Sequence, residues 1–368
     1  MGVLRRSELV LLALVVSGCA PRLERVVAYY PDGENVRLEG SIREDCEGLA
    51  HAAGTWRFYF PGGRLAELGE FDGSAVVAAR SLASGDASLP DTSRTGRWST
   101  WDESGHLRAE GAYRGGRRQG WWTEWHASGV RRAAGMWWGG QRLGTFRTWH
   151  ANGVLATEGA YRFGAEHGVH RTWDERGVLR RSATYARGRL DGWLEVRDAT
   201  GHLRERAFYA QGELDGWRTL WDENGQRTCR ARYAHGLQDG TTFLFHPDGS
   251  VRQRGHWRAG KEHGASSGFD RSGRREWFAH HVDGWLDGDW LEWDVNGTLR
   301  ARRPYREGLA DGTSEEYDEN GCLRTRGDWR ADRRSGAWHF YLANGVLDLD
   351  RSGIYDGDQR VAPLADEN

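Results

Sequence analysis

The sequence predicts an all-β protein: an elongated single-layer antiparallel β-meander of stacked 24-residue hairpin repeats. Three observations carry that prediction. Glycine recurs every 24 residues, from Gly96 through Gly120 and Gly144 to Gly336 without an insertion, and a second glycine follows each one nine residues later, from Gly105 to Gly345. An aromatic stands five residues after the first glycine (Trp101, Trp125, Trp149, Trp173) and another seventeen after it (Tyr113, Trp137, Tyr161, Tyr185). Strings such as "DENG" and "HANG" close on the second glycine, where a hairpin end calls for positive φ. A fixed period of this length marks a repeat architecture.

The N-terminus stands apart from the array. Arg5 and Arg6 precede an apolar run at 9–16, too short to span a bilayer but suited to the apolar core of a signal peptide covering residues 1–18. Val16, Ser17, Gly18 and Cys19 resemble the lipobox of bacterial lipoproteins. That resemblance implies cleavage before Cys19 and a diacylglycerol on its sulfur, so Cys19 is the expected lipidation site and a membrane the expected N-terminal partner. It also implies a bacterial cell-envelope location. Ala20, in place of Asp after the cysteine, points by the same resemblance to the outer membrane.

Residues 19–53 read as a tether with a degenerate hairpin around "YYPDG". Residues 54–73 form a first repeat, matching the template at Gly54, Tyr59, Gly63, Leu65, Gly69 and Phe71. The small-residue stretch 74–95 reads as a linker, 96–357 as the tandem array and 358–368 as a tail.

Each repeat holds two strands. Simple alternation pairs the fifth position with the eleventh (Trp101 with Leu107) and the first with the fifteenth. Large aromatics and the small fifteenth residues (Gly111, Gly135, Ala183) then share one buried face, and the other face is polar. On this expectation the rings two residues after the first glycine, Trp98, Trp122, Trp290 and Trp338, are exposed and are candidates for binding. The polar face also carries arginine columns, of which Arg204, Arg206, Arg252, Arg254, Arg300 and Arg302 are candidate anion-binding residues. The competing reading is cross-strand ion pairing, with Glu124 facing Arg132, Glu292 facing Arg300 and Glu316 facing Arg324.

Composition limits the alternatives. Gly 52 and Trp 20 against Pro 7 and Met 2 favour short strands and turns, and an apolar share of 38% favours many small buried patches over one large core. A net charge of −2 gives no basic field, so nucleic acid is not an expected partner. Cys46, Cys229 and Cys322 lack the spacing of a disulfide framework or a zinc site.

Catalytic and metal motifs are weak. The acid strings "DESG", "DERG" and "DENG" occupy slots that elsewhere read "HASG" or "HPDG", so they read as turns and not calcium loops. "GASSG" at 264–268 matches G-x-S-x-G formally, but it falls in a first strand with no phased His and Asp, and His280 with His281 lacks further ligands. No catalytic residue, metal or cofactor is expected.

The pattern "DGWRTLWDENGQR…ARYAHGLQDG" at 215–240 resembles the bacterial variant of the MORN repeat, and the likeness covers about 54–350. The resemblance implies a β-meander scaffold for interactions. Some bacterial members carry an antitoxin label, which a lipobox argues against, and some eukaryotic relatives are associated with membrane surfaces. The expected function is a non-enzymatic, membrane-tethered scaffold contacting a protein or the envelope surface. The alternatives are an anionic glycan or lipid-headgroup binder, with an envelope glycan as partner, and an antitoxin-like protein.

Overall fold

The computed structural model describes residues 23–45, 47–77 and 89–364. It divides into two units, Met1–Arg189 and Leu190–Asn368. Both are antiparallel meanders built from hairpins, and among the described residues the non-strand element is a three-residue 3₁₀ turn, Asp91–Ser93.

The first unit begins with the hairpin Leu23–Tyr29 with Val36–Glu44, then Ala50–Tyr59 with Leu65–Val76. The array proper follows as Arg94–Trp101 with Leu107–Arg114, and Arg117–Trp125 with Arg131–Trp138. The second unit repeats this form, as in Glu213–Trp221 with Arg227–Ala234, and ends on the hairpin Gly353–Asp356 with Gln359–Ala362.

Several element boundaries move relative to the expectation. In most repeats the strand begins two or three residues before the first glycine, because that glycine is a bulge inside the strand: Gly120 lies within Arg117–Trp125 at φ 72°; at Gly264, Gly288 and Gly312 the strand does start on the glycine. The stretch expected to be a linker holds strand at both ends, through residues 74–76 and 94–95, and the expected tail holds the strand Gln359–Ala362. Its segment 78–88 and the signal peptide lie outside the described residues.

Two turns alternate. In the first, Asp222 Oδ1 accepts from the amides of Asn224 at 2.9 Å and Gln226 at 2.8 Å, and the Gly225 amide bonds the Asp222 carbonyl at 3.1 Å. The acid strings are therefore turn chemistry, as expected. The second turn is a two-residue connection with positive φ at both positions, such as Phe163 at 49° and Gly164 at 81°.

The face assignment differs from simple alternation, and one residue explains it. Trp101 pairs with Leu107, but Thr100 pairs with Ala109, so Arg108 is an extra residue on the second strand. Trp98 then pairs with Gly111, where unbroken alternation would have put Arg97. A bulge of one residue reverses which side chains share a face. The ring two residues after the first glycine joins the small fifteenth position, while Trp101 and Leu107 go to the other side.

Candidate functional site

The face carrying Trp98 is organised as a ladder of rings on glycines. Trp122 lies over Gly111, Phe146 over Gly135 and Trp98 over Gly69. A Cβ at those glycines would come within about 2.0–2.2 Å of the ring, a separation no structure tolerates. Rings then meet edge to face along the ladder: Trp98 to Tyr113 at 5.9 Å, Tyr113 to Trp122 at 5.0 Å, and Phe146 to Tyr161 at 6.1 Å. Trp122 Nε1 donates to the Ala112 carbonyl at 2.9 Å and Trp338 Nε1 to that of Asp328 at 3.1 Å.

An arginine caps each ring from four residues upstream on the same strand. Arg94 lies 4.1 Å from the Trp98 centroid, Arg118 4.2 Å from Trp122 and Arg142 4.3 Å from Phe146. In the next repeat the pair becomes Glu166 and His170. His170 Nε2 bonds the Ala160 carbonyl at 2.7 Å, as the indoles do; because a carbonyl only accepts, that nitrogen carries the proton. Nδ1 faces Glu166 at 3.7 Å.

The expected exposed aromatics are therefore corrected. Trp98, Trp122 and Trp338 are 1%, 3% and 2% exposed and form the ladder, because the bulge at Arg108 and its counterparts turns them to the packed face. Trp290 is half-buried and stacks on Trp277 at 5.3 Å. The exposed rings are others: Trp121 at 57%, Trp138 at 56% and Trp285 at 65%. The signal was in the sequence: each of the doublets 121–122 and 137–138 must send one tryptophan to each face.

The arginine columns divide. Arg206 lies 3.6 Å from Glu195 and 4.2 Å from the Trp193 ring centroid; Arg302 lies 3.1 Å from Asp289. Both are engaged by their own sheet. Arg252 and Arg254 are exposed, while Arg204 and Arg300 are half-buried. Of the expected ion pairs, Glu124 with Arg132 forms at 2.7 Å. The other two are replaced by different partners: Arg303 takes Glu316 at 3.4 Å, Arg324 takes Asp318 at 3.6 Å, and Glu292 accepts from Trp290 Nε1 at 2.8 Å.

"GASSG" gains partners that were not expected. Ser266 Oγ lies 3.3 Å from His281 Nδ1, and His281 Nε2 lies 3.3 Å from Glu262 Oε2. These are the ladder slots of this repeat, held by a polar relay in place of a capped ring. Ser266 is 3% exposed and sits mid-strand, without the strand–turn–helix elbow that presents a nucleophile. Among the described residues no cluster of three metal-ligating side chains occurs, and no helix is long and apolar enough to cross a membrane. Cys229 and Cys322 are free thiols; Cys19 and Cys46 lie outside the described residues.

The fold and its repeated faces define a repeat scaffold for binding. The protein family described as MORN repeat variant matches residues 94–114. No curated protein matches the chain. Among solved structures, chains of TcdB2-TccC3-Cdc42 and TcdB2-TccC3-TEV align at 10% and 11% identity with TM-scores of 0.17 and 0.16, each over 88% of this chain and 19% of theirs. A chain of the Photorhabdus luminescens Tc holotoxin pore aligns at 10% identity and a TM-score of 0.14, over 89% of this chain and 23% of its own. This chain thus spans under a quarter of those it aligns with, and TM-scores this low carry no argument.

Proposed function

We propose that this chain is a lipid-anchored, non-catalytic scaffold of the bacterial envelope that presents one sheet face to a protein partner. The supporting observation is the separation of its aromatics. One set is consumed by the ladder, and a second set, Trp121 with Met136 across from it and Trp138 beside it, stands on the opposite face at 57%, 42% and 56% exposure. Exposed aromatic and methionine clusters are the usual anchors of protein interfaces. The arginines Arg252 and Arg254 leave room for the anionic-surface alternative; the antitoxin reading gains no support from the geometry.

Two variants test the two halves. Cys19→Ala is expected to lose acylation and move the protein out of the membrane fraction; retention without an acyl mass overturns the tether. Trp121→Ser with Trp138→Ser, both on the open face, is expected to abolish partner capture from envelope extracts while leaving the melting temperature within a few degrees. Unchanged capture places the interface elsewhere.

A further inference from the structure

One cell of the ladder face carries unbalanced charge. A cavity of about 300 Å³ lies between the repeats at 117–138 and 141–162, and three guanidinium groups line it: Arg118, Arg132 and Arg142. The one carboxylate in its wall is Glu124, whose two oxygens are taken by Arg118 at 2.8 Å and Arg132 at 2.7 Å. Arg142 is left with the neutral Tyr161 hydroxyl at 3.2 Å. Three positive charges against one negative leave a local excess of two in a half-enclosed site.

The neighbouring cells are balanced. Upstream, Arg94 is held by Glu67 at 3.1 Å and Asp91 at 2.9 Å, and Arg108 lies 3.7 Å from Asp102. Downstream, the capping slot is an acid, Glu166. The excess at Arg118, Arg132 and Arg142 is therefore not a property of the repeat. The walls are aromatic, with Trp137 and Trp149 among them, and Trp137 Nε1 is a buried donor with no hydrogen-bond partner. Trp98, Trp122 and Trp338 satisfy theirs, while Trp56, seated on Gly40, does not.

We infer that this cavity binds a carboxylated sugar ring, a hexuronate unit of an acidic polysaccharide. Each part of the site has a counterpart in that ligand. Guanidinium forks match a carboxylate, and Arg118 with Arg132 already hold one between them. The indoles offer flat apolar faces to the C–H face of a pyranose. The volume sits at the low end for ligand pockets, room for one ring rather than an extended chain. A bare inorganic anion would use the charges and leave the aromatic walls idle.

The inference deepens the reading of the sheet as a binding scaffold but uses the face opposite Trp121 and is independent of the lipid. Titration calorimetry on the full chain, with glucuronate, glucose and inorganic phosphate as probes, tests it. Glucuronate is expected to bind, more weakly as salt rises, and at least about tenfold more tightly than either other probe. Arg142→Gln is expected to weaken glucuronate about tenfold or more, whereas Arg252→Gln in the second unit leaves it unchanged. Arg132→Gln, at an exposed wall position, provides a second variant if circular dichroism finds Arg142→Gln misfolded. Phosphate binding as tightly as glucuronate, no glucuronate binding by the folded protein, or loss on Arg252→Gln each overturns the proposal. Cys19→Ala is expected to leave glucuronate binding intact, so failure of the tether and failure of this site are separable.

Discussion

Residues 23–189 and 190–364 use the same repeat with two different packings. In the first region the fifteenth position is glycine at Gly69, Gly111, Gly135 and Gly159, and each lies under a ring: Trp98, Trp122, Phe146 and His170. In the second it is mostly alanine, at Ala207, Ala231 and Ala279, and the facing residues are Leu194, Arg218, Thr242 and Ser266. Gly255 apart, which faces Ser266 and carries no ring, ring and glycine appear together and disappear together. The packing unit is therefore the pair, in which the missing Cβ makes room for the aromatic plane.

Two other departures obey the same rule. Gly327 returns near the C-terminus, and Trp338 lies on it. The repeat before Trp290 carries Ala279 in place of glycine; the ring stacks instead on Trp277, which itself covers another glycine, Gly268. The first glycine of the repeat follows suit. Its φ is 61–72° where a ring or His170 is seated two residues on, at Gly96, Gly120, Gly144, Gly168 and Gly336, and 91–123° from Gly192 to Gly312, where none is.

Removing a ring should have the largest effect. Trp122→Ala is expected to destabilise the first region by about 3–5 kcal/mol, since it opens a cavity over Gly111 and leaves Arg118 uncapped. Chemical denaturation followed by tryptophan fluorescence measures it; a loss under about 1 kcal/mol would sink the ladder as the main packing device.

Adding a methyl group separates the regions more sharply. Gly111→Ala is expected to cost about 1–3 kcal/mol, because its Cβ would strike the Trp122 ring. Gly255→Ala in the second region meets nothing closer than Ser266 Cβ at 3.8 Å and is expected to be neutral or stabilising by up to about 1 kcal/mol. Equal effects at the two sites would break the comparison.

Acid should act least, and most at the Asp198 turn of the second region. There the Thr200 hydroxyl, then amides of Thr200 and His202, hold the Asp198 carboxyl at about 2, below its ordinary 3.8; Asp248 and Asp270 are also lowered, first by hydroxyls of Ser250 and Ser272. The first region also holds lowered carboxyls, Asp32 by the Asn35 side chain, Asp45 by that of His51 and Asp102 by the His106 amide, while His126, His150 and, in the second region, His246 head turns through a bond to a backbone carbonyl. A folded value below the unfolded one means stability complete above about pH 4 and lost as pH falls toward 2. Hydrogen exchange between pH 4 and 2 is expected to lose protection first at the turn starting at Asp198, with Asp198→Asn reducing the change there; loss at that turn no greater than at the other turns contradicts this.

Much of the fold was legible in the chain because period and turn chemistry are local. The glycines with positive φ, the Asp-headed turns and the strand count per repeat all follow from residues within a few positions of one another. The candidate sites were less legible, because they depend on facing. Trp98 was expected outside and is buried; Glu316 was expected on Arg324 and takes Arg303. The first error comes from the extra residue near the twelfth position, which no pattern of apolar and polar residues announces; the second comes from a competing arginine on the neighbouring strand.

The sequence by itself determined the repeat, its two turns, the all-β class and, by its lipobox-like N-terminus, an expectation of lipid attachment at Cys19. Only the tertiary structure decided which face each column occupies, which glycines carry rings, and where three arginines meet around a single carboxylate. The physical reason is register. A turn is fixed by its own residues, but a bulge is fixed by how two strands pair, and one inserted residue moves every side chain beyond it to the other face.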